Sequence, residues 1–111
     1  MENIYLLARS SKEMISNLND RCLAIADLYR KGEFQEGNER FLFFLEDINT
    51  LLGAIALINT TFPALSIEEL NEKLAQLLEQ MENKDYLYVA DLLQYELQPL
   101  LDLWSGTIND G

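Results

Sequence analysis

The sequence predicts an all-α fold, a four-helix bundle of two antiparallel helical hairpins in up-down order, and three observations lead there. Between Asp85 and Trp104 the residues Tyr86, Ala90, Leu93, Leu97, Leu100 and Trp104 recur at steps of four and three. On a helix they make one apolar stripe that has to be buried against other helices. Only Pro63 and Pro99 and five glycines punctuate the 111 residues, too few for the turns of a many-stranded protein. Helix start and stop signals also fall where hairpins need them, as the elements show in turn.

The first helix is expected near residues 3–31. Ile4, Leu7, Met14, Ile15, Leu18, Cys22, Ile25 and Tyr29 hold helical spacing, with Ser11 interrupting the stripe. Arg30 and Lys31 suit its C-terminal dipole, and Gly32 can take the left-handed conformation that ends it. Cys22 lies on the stripe and reads as a small core residue.

The second helix is expected near 36–60, with Phe34, Asn38, Phe41, Leu45, Ile48 and Leu52 as its stripe and Glu33, Glu36 and Glu39 at its positive end. From Leu51 to Ile58 it is apolar on every side, as befits a central helix or one with a second interface. Ser66 and Glu69 form a capping box for a third helix near 66–82, striped by Ile67, Leu70, Leu74, Leu77, Leu78 and Met81. Asp85 is the expected N-cap of a fourth, near 85–104. The short links make neighbours antiparallel, and residues 1–111 form one domain.

The halves match at an offset of 52: Leu18, Cys22, Ile25 and Tyr29 fall on Leu70, Leu74, Leu77 and Met81, and Phe34, Asn38, Phe41, Leu45, Ile48 and Leu52 fall on Tyr86, Ala90, Leu93, Leu97, Leu100 and Trp104. Two hairpins of similar register would show much of this pattern, with or without an internal duplication.

Charge limits the partners. The formal net charge is −11, divided as −3 over residues 1–60 and −8 over 61–111. Such a surface repels phosphate backbones and anionic lipid, so neither nucleic acid nor membrane is an expected partner. A basic protein surface is permitted, although an acidic face also serves plain solubility. The lone Cys22 has no partner for an internal disulfide, and the first twenty residues lack a signal-peptide pattern. A cytoplasmic protein is therefore expected. The apolar run Leu51–Ile58 is far shorter than the roughly 20 residues of a membrane span.

Reaction chemistry is sparse. The absence of histidine removes Ser-His and Cys-His pairs, and there is no phosphate-cradling glycine loop. The carboxylates Glu68-Glu69-x-x-Glu72 and Glu82-x-x-Asp85 resemble the magnesium-binding set of all-α nucleotide pyrophosphohydrolases, which would imply a metal-dependent hydrolase. Their spacing is shorter than in that family, and Glu68, Glu69 and Glu72 project away from the Leu70/Leu74/Leu77 stripe instead of converging. No catalytic residue, cofactor or metal site is expected.

Two further resemblances concern shape. Lys31-Gly32-Glu33-Phe34, with Gly37 and Phe41, resembles the centre of a tetratricopeptide hairpin, but the repeat itself is absent. Asn83-Lys84-Asp85-Tyr86 followed by Ala90 to Leu101, including Tyr95-Glu96-Leu97-Gln98-Pro99-Leu100-Leu101, resembles the closing motif of small acidic all-helical proteins of Gram-positive bacteria. That likeness implies a helical bundle and no particular activity.

The expected function is therefore a non-enzymatic protein–protein interaction module, an adaptor or chaperone-like bundle, with a purely structural homodimer as the alternative. The candidate interface is Leu51, Ala54, Leu57 and Ile58, on the reasoning that Leu52, Ile55 and Ala56 face the core and that Gly53 and Ala54 admit another helix. Tyr88 and Tyr95 share the side opposite the fourth stripe, as interface residues or simply exposed ones. Arg21 and Glu96, each at the edge of an apolar face, form a candidate buried ion pair.

Overall fold

The computed structural model describes residues 2–108 and is helical nearly throughout, with no strand among the described residues. Helix α1 runs Glu2–Arg30, α2 Phe34–Ile58 and α3 Ile67–Glu82. A C-terminal arm completes the chain, made of α4 (Tyr86–Leu92), a π-helical turn (Leu93–Leu97) and α5 (Gln98–Thr107). The molecule is a rod of 46 × 21 × 20 Å. As the stripes require, α1 packs against α2 on one side and against the arm on the other, and α3 packs on the arm.

Both hairpin turns are Schellman motifs, and they repeat each other bond for bond. Glu33 N donates to Leu28 O and Gly32 N to Tyr29 O; 52 residues on, Asp85 N donates to Gln80 O and Lys84 N to Met81 O. The left-handed position is Gly32 (φ 78°) in the first turn and Lys84 (φ 57°) in the second. Capping agrees with the sequence: the Ser66 side chain accepts from Glu69 N, and that of Asp85 from Tyr88 N.

The matching residues also meet in space. Tyr29 and Met81 touch through hydroxyl and thioether sulfur at 3.6 Å, and Phe34 stacks on Tyr86 with centroids 4.7 Å apart. Contacts between positions that correspond under the 52-residue offset are what a local twofold axis between the hairpins produces. Tyr29 is the hub, fully buried, stacked on Tyr86 and donating its hydroxyl proton to Asn38 Oδ1 at 2.9 Å. Burial of the phenol, with Tyr86 beside it, raises its pKa well above the ordinary tyrosine value.

The fourth helix is not the regular α-helix that its stripe suggests. Pro99 has no N–H to donate and its ring crowds the carbonyl four residues back. The chain answers with one wide turn just before it, where Gln98 N reaches back to Leu93 O. The extra residue rotates the remainder of the arm, so Leu101 joins Leu97, Leu100 and Trp104 in the core.

Candidate functional site: the open junction between α2 and α3

Of the four junctions around the bundle, that of α2 with α3 has the sparsest contact. Between them lies a groove of about 360 Å³ lined by Leu42, Leu45, Glu46, Ile48, Asn49 and Leu52 from α2 and by Leu74 and Leu78 from α3. Leu42 is 64% exposed and Leu78 47%, a high cost in water for two large aliphatic side chains on facing walls. Below them Ile48 is fully buried and Leu45, Leu52 and Leu74 pack half-buried on the core.

Side-chain size accounts for the gap. At the 52-residue offset Leu74 and Leu78 correspond to Cys22 and Ala26 of α1, and past the extra residue of the wide turn the α2 wall Leu45, Ile48 and Leu52 corresponds to Gln98, Leu101 and Ser105 of the arm. The junction of α1 with the arm is therefore the counterpart of the groove, and there Cys22, Ala26 and Leu101 are fully buried. Small Cys22 and Ala26 let that pair of helices close. Leucines stand in their places on α3, and α2 is held off.

The walls carry negative charge only. Helix α2 has one cation, Arg40, which pairs with Glu36 and lines a separate cavity with Arg21 and Phe43 against α1. Helix α3 has one, Lys73, which pairs with Glu96 of the arm at 2.9 Å. Glu46 lines the groove, and helical spacing sets exposed Glu39 three residues before Leu42 and exposed Glu82 four beyond Leu78.

The interface expected on α2 is corrected in part. Leu51 and Ile58 are fully buried in the core, and Ala54 is half-buried. The inward row is Phe41, Phe44, Ile48, Leu51, Ile55 and Ile58, one residue away from the row that would bury Ala56, because it turns six large side chains inward and leaves Gly53 and Ala56 outside. Leu57 is indeed exposed, at 65%.

The Arg21–Glu96 pair is also corrected: Arg21 pairs with Asp47 of α2, and Glu96 with Lys73 of α3. Arg21 lies on the α2 flank of α1 and Glu96 on the α3 flank of the arm, a distinction that an edge position in one stripe does not specify. Both side chains reach solvent, so neither pair is a buried one. Tyr88 and Tyr95 are both exposed, and Arg30 lies over the Tyr95 ring while bonding to Asp91 and Gln94.

Cys22 is fully buried, and desolvation pushes its thiol up to about 12, only partly offset by the charge of Arg21. A thiol in that state is not a nucleophile at neutral pH. Glu68, Glu69, Glu72, Glu82 and Asp85 do not gather: among the described residues no three His, Cys, Asp or Glu side chains are placed to share a metal ion.

By length and composition alone α2 could cross a bilayer, with a mean hydropathy of 1.8 over its most apolar window. Here one side of that helix forms the core, and part of its remaining apolar surface, Leu42 with half-buried Leu45 and Leu52, lines the groove. The sequence held the signal for this site in Leu42, Leu45 and Leu78, but nothing in one stripe says which junction stays open.

No curated protein and no solved structure matches the chain. A family model described as Domain of unknown function (DUF8042) matches residues 7–107, nearly the whole described structure, and the chain belongs to that family.

Proposed function

We propose that this protein works by binding another protein, as a non-enzymatic adaptor or chaperone-like module of the cytoplasm, with the groove between α2 and α3 as its docking surface. One observation carries the reading: the junction of sparsest contact in the bundle is lined by six leucine and isoleucine side chains, two of them exposed. Contiguous exposed apolar surface of this kind marks interaction sites more often than ornament.

Site-specific photo-crosslinking in the native host tests it. A benzophenone amino acid placed at Leu42 or at Leu78 should give discrete adducts with another polypeptide, and the same group at the distant exposed Leu6 should not. Equal labelling from all three positions, or none from Leu42 and Leu78, refutes the groove as the docking surface.

A further inference from the structure

We infer that the occupant of the groove is an amphipathic helix of a second protein, with its apolar stripe flanked by Lys and Arg, and not another copy of this chain. The inference rests on the docking role proposed above and names its partner class.

The helical form follows from the lining of the groove. Leu42, Leu45 and Leu52 of α2 and Leu74 and Leu78 of α3 stand three, seven and four residues apart along two helices, so each wall offers a row at helical spacing. An elongated slot between two antiparallel helices accepts apolar side chains recurring at three and four residues, the pattern of helix-in-groove recognition. The basic flanks follow from charge. The walls offer Glu46 beside the leucines and exposed Glu39 and Glu82 at the end near the hairpin turns, while Arg40 of α2 is paired with Glu36 of its own helix and Lys73 of α3 with Glu96 of the arm. A twofold dimer through this surface would set these acidic walls against themselves in a chain of net charge −11. A Lys- or Arg-flanked helix meets opposite charge instead.

The full chain is titrated into labelled synthetic helices of about 18 residues, ~27 Å long. They share one leucine stripe and differ only in flanks of Lys, Gln or Glu, and anisotropy is read at about 0.15 M salt, where distant charges are screened. The Lys-flanked helix should bind about tenfold tighter than the Gln-flanked one, the effect of a few exposed ion pairs, and the Glu-flanked one weakest. Leu42→Gln with Leu78→Gln should weaken binding while circular dichroism stays unchanged, since both side chains are exposed. Glu39→Gln, Glu46→Gln and Glu82→Gln together should abolish the Lys preference. Glu13→Gln, Asp20→Gln and Glu33→Gln, which change net charge equally from exposed sites outside the groove, should not.

Four results overturn the inference. Lys-helix binding untouched by the two leucine variants makes it a surface-charge effect. Equal binding of Gln- and Lys-flanked helices at the groove removes the basic partner and leaves the docking role standing. No binding of any helix, with crosslinks still formed from Leu42 and Leu78, gives the groove a partner that is not a helix. A sedimenting dimer dispersed by the leucine variants gives it a second copy.

Discussion

Gly37 is the point at which the closeness of α1 and α2 can be measured as a free energy. A Cβ built there would lie 2.7 Å from Tyr29 Cε1, 2.9 Å from Cδ1 and 3.2 Å from Cζ. Carbon atoms settle at about 3.5–4.0 Å, so the overlap with the ring edge is roughly 0.8 Å. The ring has little room to yield, because it is fully buried, stacked on Tyr86 at 5.4 Å and held by its hydroxyl to Asn38. Overpacking of this kind costs about 1–3 kcal/mol. Alanine in place of glycine within a helix returns about 0.5–1 kcal/mol. Gly37→Ala is therefore expected to destabilise by about 0.5–2 kcal/mol, a fall in melting temperature of about 2–8 °C for a chain of this size. Gly53, also in α2, has nothing within 4 Å of its built Cβ, so Gly53→Ala should stabilise. Urea titration of both variants at a constant m value reads the two signs directly. In a Tyr29→Leu background the Gly37→Ala change should turn neutral or stabilising, since the ring edge it strikes is gone. An increase in the urea midpoint for Gly37→Ala like that for Gly53→Ala would refute the close approach.

Three other outcomes are expected. Ser11 Oγ is buried on the core face of α1 with no hydrogen-bond partner among the described residues, so Ser11→Ala should raise stability in urea by about 0.5–1 kcal/mol; a loss of stability would show the hydroxyl to be satisfied. Lys84 holds φ 57°, where a side chain is strained, so Lys84→Gly should stabilise by up to about 1 kcal/mol and Gly32→Ala should destabilise, both read by thermal melting. The Cys22 thiol is raised from 9.0 to about 12 on folding, so its contribution is complete below pH 9 and is lost as pH climbs through that window, where only the unfolded chain has released the proton. Cys22→Ala should flatten the alkaline loss of stability by about 1.4 kcal/mol per pH unit there, and an unchanged slope in pH-dependent urea titrations would contradict that burial.

The elements most legible in the sequence were those fixed by local chemistry. Gly32 ends α1 because the left-handed position suits it, Ser66 and Asp85 start helices because their side chains accept a backbone N–H, and the stripe of α1 and, exposed Leu78 apart, that of α3 mark their packed faces. What stayed hidden depends on the choice between nearly equal alternatives. In the Leu51–Ile58 run every face is apolar, and packed volume, not periodicity, selected Leu51 and Ile58 for the core. The partners of Arg21 and Glu96 are set by which flank of each helix faces which neighbour, a relation between elements distant in sequence. Pro99 announced a disturbance, but the wide turn that absorbs it and brings in Leu101 arises from keeping both ends of the arm packed. The groove was legible only as leucines at the right spacing; its openness comes from Leu74 and Leu78 standing where α1 has Cys22 and Ala26.

A bundle with near-twofold internal order could have offered the same surface twice. The exchange of two small side chains for two leucines breaks that order at one junction and not the other, so the leucine-lined groove occurs once among the described residues. Under the docking role proposed above, one chain would cover a single helix without bridging two through equivalent surfaces. Raising its concentration would then withdraw the partner from other encounters instead of gathering partners together.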